Sequence, residues 1–441
     1  MHASTFLHRL FGGRGEGMHR ECRDVIALCR NLLGERGEAS GAALARETLA
    51  AFSALGPASR DQFFDILAAE FSPSPEAVGA AADAYRIDPT PANLSRLQVL
   101  VEPVRQELFR RLNMAPGGTA ALEAMRRLLL RGVPDHPAWQ AVDADLLHLL
   151  RSWFNRGFLR MERIDWRTSA LVLEKLIAYE AVHAIQGWPD LRRRLQADRR
   201  CFAFFHPSLP DEPLIFIEVA LTRRVSAVVQ PLLAPDAPVS DPRDARCAIF
   251  YSITNCQDGL RGISFGNFLI KQVAEELKQE FPRLRAFATL SPIPGFRAWL
   301  DSVRGRLAAG MAGEARLALL SRLDAPDWPT AGDESLRHLL TGLCAYYLLH
   351  AKQGRDPLDT VARFHLGNGA SLERLNWMGD SSAQGIKRSA GMMVNYVYRL
   401  DHVERNHERF VNEHVVVTAR RIQKLARECP LAGDGRGPTG R

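Results

Sequence analysis

Hydrophobic residues recur at helical spacing from about residue 20 to residue 195. Beyond that point the pattern changes to short apolar runs broken by turn residues. Such a chain cannot form one uniform fold: the first half has helix stripes to bury against one another, and the second half has strands to assemble into a sheet. With 441 residues, each half is long enough to bury its own core. The expected fold class is α+β, with an all-α domain over residues 1–190 and a mixed α/β domain over 191–441.

Within the first half, Ser59-Arg-Asp-Gln62 reads as a capping box ahead of the apolar stripe Phe63, Phe64, Ile66, Leu67 and Phe71. Similar helices are expected over 42–55, 94–112, 119–130, 142–154 and 169–185, separated by prolines such as Pro57, Pro75, Pro91, Pro116 and Pro134. No cluster in this half demands chemistry, so its expected role is oligomerisation or packing. In the second half, runs at 201–206 and 214–222 flank the turn chemistry of 207–213 and read as a β-hairpin. A strand at 248–253, a helix at 265–280 and a strand at 284–290 read as a βαβ unit. A helical insertion follows over 297–353, then apolar segments at 364–375 and 392–399, and a last helix at 416–428.

Ordinary globular proportions, 46% hydrophobic and 24% charged, exclude wholesale disorder. Charges interrupt every apolar segment, so no membrane-spanning helix is expected. Neither a secretory leader nor a lipidation or peroxisomal ending is legible, which makes the cytosol the default. Seven cysteines, an odd number without a Cys-x-x-Cys pair, fit free thiols in a reducing compartment better than zinc or disulfides. Only six of the 57 basic residues are Lys in a chain of net charge +7. An Arg-dominated chain suits an anionic ligand such as a nucleotide or coenzyme A, and it equally reflects coding bias in a GC-rich genome. The basic residues are interspersed with acids, so nucleic acid is not an expected partner.

Three segments carry candidate chemistry. Between the third strand and its helix, Gly259, Gly262 and Gly266 would let backbone N–H groups approach an anion at a helix N-terminus. A ligand-free tight turn fits that spacing as well. Thr289-Leu-Ser-Pro-Ile-Pro-Gly-Phe296 presents Ser291 at a rigid strand end, where α/β proteins place ligands. His365 has the polar company of Asn368, Gly369 and Asn376. The group His402, Glu404, His407 and Glu408 reads as a solvated helix rather than a metal site, because His402 and His407 fall on different helix faces. His206 ends a strand before a Pro turn and Glu218 interrupts an apolar strand; site roles and plain strand-end and edge positions account for them equally well.

In this order the segments resemble the malonyl-CoA decarboxylase family. The resemblance rests on His206-Pro-Ser-Leu-Pro-Asp-Glu-Pro-Leu214, Glu218-Val-Ala-Leu-Thr222, Gly259-Leu-Arg-Gly-Ile-Ser-Phe-Gly-Asn-Phe-Leu-Ile-Lys271, Leu290-Ser-Pro-Ile-Pro-Gly-Phe296, His365-Leu-Gly-Asn-Gly-Ala370, Asn376-Trp-Met378 and Gly391-Met-Met-Val-Asn-Tyr396. It implies a GNAT-like catalytic domain behind a helical N-terminal domain, and conversion of malonyl-CoA to acetyl-CoA and carbon dioxide without a cofactor or metal. It also implies Ser291 and His365 as the active-site pair. The coenzyme A loop would run through Gln257, Asp258, Gly259, Leu260, Arg261, Gly262 and Ile263, with Asn368, Asn376 and Tyr396 in the pocket. Ser291 would act either as a hydrogen-bond donor or as a base in relay with His365. A homo-oligomer, dimer or tetramer, built through the helical domain is implied too. An acyl-CoA-dependent N- or O-acyltransferase, and an inactive coenzyme A sensor, are the competing functions on such a fold.

Overall fold

A computed structural model of the chain describes residues 19–35, 37–263, 269–308, 312–325, 327–330 and 332–432. By internal packing it divides into two units. One holds residues 1–160 with 205–212 and 257–265; the other holds 161–204, 213–256 and 266–441.

Among the described residues the first unit forms eight helices: α1 (Arg20–Gly34), α2 (Glu38–Ser53), α3 (Pro57–Glu70), α4 (Pro75–Ile87), α5 (Pro91–Val101), α6 (Val104–Leu112), α7 (Gly118–Gly132) and α8 (Gln140–Trp153). The stripe Cys22, Val25, Ile26, Cys29 and Leu32 buries one face of α1. It joins a core with Phe52, Phe63, Phe64, Leu108, Leu122 and Trp139, where the Phe52 and Phe63 rings lie 5.0 Å apart. Ser59 does not cap α3. The helix starts two residues earlier at Pro57, which has no N–H to satisfy, and the Ser59 hydroxyl donates to Glu21 instead. The single helix expected over 94–112 is two helices, because Pro103 holds Glu102 extended at ψ 122°. Ser74 and Thr90 cap α4 and α5, yet Ala81 is the only residue that pair buries, and Ile87 and Val99 stay 76% and 74% exposed.

The second unit begins with β1 (Arg160–Ile164), a strand inside a stretch read as helical. Next comes α9 (Ala170–Tyr179), shorter than the 169–185 expected. Its continuation is blocked at Glu180, whose carboxylate accepts from the N–H groups of Val182 and His183 and from the Ser252 hydroxyl. After α10 (Trp188–Arg194), the hairpin strands β2 (Arg199–Phe205) and β3 (Ile215–Thr222) pair antiparallel as expected. The strands β4 (Cys247–Asn255) and β5 (Ala286–Thr289) pair in parallel around α11 (Leu269–Glu280), the βαβ unit read from the sequence. Gly266 and Phe268, expected in the loop and helix here, lie outside the described residues.

Beyond β6 (Ser291–Pro292) come the insertion helices α12 (Phe296–Leu307), α13 (Gly313–Ser321) and α14 (Glu334–His350), then a small ribbon of β7 (Lys352–Gln353) and β8 (Asp356–Pro357). The 364–375 segment splits into the end of α15 (Thr360–Gly367) and the strand β9 (Ser371–Asn376). After α16 (Ala383–Ser389) and β10 (Met393–Val397), the chain closes with α17 (Val403–Glu413) and α18 (Arg420–Arg427). The last helix starts late because Val417 is still extended, accepting from the Leu372 N–H. The sheet runs β1-β2-β3-β4-β5-β10-β6, with β9 also on β10. Strand β10 pairs Val397 with Ala288 on β5 and Val394 with Ser291 on β6. Ser291 thus stands where β10 changes partner.

Candidate active site

Ser291 follows Thr289 and Leu290 at the end of β5, and a proline on its C-terminal side stiffens its backbone. Its hydroxyl donates to Thr289 Oγ1 at 2.8 Å and lies 3.0 Å from His365 Nε2. The pair is 74 residues apart in sequence, and His365 comes from the last turn of α15. The other ring nitrogen, Nδ1, is 2.8 Å from the hydroxyl of Tyr398, which lies just past β10 and is 1% exposed. Burial raises the Tyr398 pKa well above its ordinary value, so the phenol keeps its proton. With the Ser291 hydrogen given to Thr289, its oxygen is left to accept from Nε2–H of the neutral ring, and Nδ1 then accepts from the Tyr398 hydroxyl. Burial also pushes the His365 pKa down to about 3, and the ring stacks on Tyr396 at 4.7 Å.

Ser291 and His365 open onto a cavity of about 260 Å³ lined by apolar Val182, Phe250, Ile253, Val361 and Phe364. Asn255 and Thr360 are among its few other polar groups. Among the described residues no Lys or Arg lines it. Three residues expected in the pocket make contacts within the protein. Asn368 donates to the Phe364 carbonyl and closes α15, whereas Asn376 donates to the Asn395 side chain inside the sheet. Tyr396 is buried behind His365, and its backbone N–H donates to Thr289 Oγ1.

In the first unit, the expected coenzyme A loop is held by α7. Glu123 accepts from the Gly259 N–H at 2.8 Å, and the Arg126 guanidinium donates to the carbonyls of Gly259 and Arg261 at 2.6 and 2.8 Å. Gly259 is required because a Cβ there would come within 2.1 Å of the Glu123 carbonyl; Gly262 is required by its φ of +84°. Leu260, Arg261 and Ile263 donate their N–H groups within the turn, to Gln257, Asp258 and Leu260. Gly259 therefore shapes the loop rather than presenting its N–H to an anion.

The family model for the malonyl-CoA decarboxylase C-terminal domain matches residues 157–433, and that for the N-terminal domain matches 71–154. The chain belongs to the malonyl-CoA decarboxylase family. The mitochondrial malonyl-CoA decarboxylase of Anser anser anser is 37% identical over 337 residues, 70% of this chain and 67% of the relative. That of Rattus norvegicus is 35% identical over 358 residues, covering 75% and 72%. The crystal structure of malonyl-CoA decarboxylase from Rhodopseudomonas palustris superposes with a TM-score of 0.88 at 48% identity, covering 91% of this chain and 99% of the other.

Outside the Ser291 cavity, this decarboxylase-family chain uses its remaining candidates structurally. Glu218 is on a central strand rather than an edge, 1% exposed and paired with Arg194 at 2.6 Å; burial raises its pKa to about 8. His206 accepts from the Ser208 N–H and packs on Phe154 at 4.7 Å. His402 and His407 gather no metal-binding set among the described residues, and His407 bonds the Gly367 carbonyl. The group that sequence reading missed is Tyr398. A tyrosine after an apolar strand looks like core, and nothing in its spacing links it to His365.

Proposed function

We propose that this chain converts malonyl-CoA to acetyl-CoA and carbon dioxide, with His365 delivering a proton to C2 and Ser291 donating a hydrogen bond to the acyl group. The observation that carries this reading is the line Tyr398, His365, Ser291 on the wall of an apolar cavity, in a chain of this family. Breaking the bond from C2 to the carboxylate leaves its electron pair on C2, delocalised into the thioester as an enolate. The thioester is itself the electron sink, so the reaction calls for no metal or organic cofactor. A donor at the thioester oxygen and a proton for C2 are what it does require.

Burial opposes charge on His365 and keeps the ring neutral. An entering malonyl carboxylate brings a negative charge beside it and favours uptake of one proton. The ring then carries N–H groups on both nitrogens, the Tyr398 oxygen accepts from Nδ1, and Nε2–H is transferred to C2. A phenol can switch from donor to acceptor in this way, which a carboxylate in its place could not. That wiring supports a proton-donating His365 rather than a base that activates Ser291. Apolar walls strip water from the carboxylate and favour its departure as neutral carbon dioxide.

His365→Ala and Ser291→Ala should each lower kcat by about 10² to 10⁴, the range for one acid-base group, with KM changing less. Steady-state assays on malonyl-CoA measure this, and wild-type turnover in both variants would remove the assignment. We infer further that copies associate through the helical unit, a reading supported by the exposed apolar residues of α4 and α5. The cysteines, six of the seven buried, fit thiols in a reducing compartment.

A further inference from the structure

Asp359 is 2% exposed and is not part of the Ser291 cavity wall. It is the N-cap of α15, accepting the Ala362 N–H at 2.8 Å, and so fixes the start of the helix that ends in His365. The same carboxylate faces Gly295, four residues after Ser291: a Cβ built there would lie 3.8 Å from its Oδ2, and the Gly295 N–H draws its pKa down against burial. A third tie comes from the Tyr347 hydroxyl on α14, 3.4 Å away. The fit is close: a Cβ on Gly295 would come within 2.4 Å of that hydroxyl. Tyr347 packs in turn on Phe296 and Trp299 of α12, with ring centres 5.8 and 5.1 Å away. One buried carboxylate therefore joins the Ser291 turn, the insertion and the His365 helix.

We propose that Asp359 is a positioning residue: its carboxylate fastens these three segments together and thereby sets the Ser291 to His365 approach. The inference rests on the catalytic reading of that pair given above. It also gives the 297–353 insertion a role, as the scaffold that supplies Tyr347. A helix cap alone would need only the Ala362 contact; the bond from Tyr347 and the close approach of Gly295 serve the geometry between segments.

Three variants separate the two roles. Asp359→Ser keeps an N-cap oxygen but is too short to reach Gly295, Asp359→Ala removes both functions, and Asp359→Asn is isosteric and still caps α15. All three should lose about 10- to 100-fold in kcat, the cost of a misplacement near 1 Å, with KM for malonyl-CoA within about twofold of wild type. The thermal midpoints of the Ser and Asn variants should stay closer to wild type than that of the Ala variant. Wild-type kcat in the Ser or Asn variant would overturn the proposal and leave Asp359 a helix cap, as would a loss confined to KM. Wild-type enzyme and Ser291→Ala are run alongside. If the wild type did not decarboxylate, or Ser291→Ala were fully active, the catalytic reading would fail on its own account.

Discussion

His365 shows how a neighbour's chemistry assigns a residue's role. In hydrolytic triads the partner at Nδ1 is a carboxylate, which holds a proton there and frees Nε2 to act as a base. Here the partner is a buried tyrosine that can both give and take a hydrogen bond. Tyr398→Phe removes that partner from the protonated ring and should lower kcat about 10- to 100-fold, consistent with the 1.5–3 kcal/mol of a hydrogen bond to a charged group. An unchanged kcat in the steady-state assay would mean the ring is held by packing alone. The depressed pKa of His365 also has a stability consequence. Its folded pKa lies below the unfolded value, so the unfolded chain binds more protons between about pH 3 and 6.5 and stability falls as pH drops through that window. His183, pushed down to about 4 by burial, adds in the same direction. At pH 5 the His365 contribution is about 2 kcal/mol, from 1.36 kcal/mol per pH unit below 6.5. Denaturant unfolding at pH 7 and pH 5 should show this loss, and His365→Gln should reduce it. Stiff or polar surroundings single out Ser291 and His365 as candidates in the sequence, and the family resemblance is what pairs them. Tyr398 was not, since its role exists only once β10 is laid beside β5.

Elements were legible wherever hydrophobic spacing alone decides them, as in α1, the β2–β3 hairpin and the β4–α11–β5 unit. The misreadings have local causes. Pro103 splits a continuous stripe, the Glu180 carboxylate ends α9 by binding N–H groups ahead of it, and Pro57 moves the start of α3. The spacing of the glycine loop fits an anion cradle and a tight turn alike, and in the structure much of its backbone is committed to α7 and to its own turn. What the sequence could not supply was Glu123 and Arg126, more than 130 residues away. The loop's shape should nonetheless matter for substrate binding. Gly262→Val forces a β-branched residue to φ +84°, a strain of about 1–3 kcal/mol. If the loop binds coenzyme A, KM for malonyl-CoA should rise roughly 5- to 100-fold, with kcat changing less. An unaltered KM in a folded variant would place the coenzyme A phosphates elsewhere.

At the scale of the whole molecule, the change of hydrophobic period predicts a helical part before a sheet-bearing part but puts the boundary near residue 195, whereas the sheet-bearing unit already takes in residues 161–204. It does not reveal that segments 205–212 and 257–265 group with the helices, because long-range packing leaves no periodic trace. Nor does it mark the α4–α5 pair, whose helical stripe is as regular as the others yet buries almost nothing within the unit. If that face packs against a second copy, Ile87→Glu combined with Val99→Glu should shift the chain to a smaller species in sedimentation velocity. An unchanged mass would place the association elsewhere. The most direct test of the account is to incubate the purified chain with malonyl-CoA alone in deuterated buffer and follow both products. Equimolar acetyl-CoA and carbon dioxide, with one deuterium in each new methyl group, is the predicted result. Malonyl-CoA that binds and stays intact, or coenzyme A released only when an acceptor is added, would contradict it.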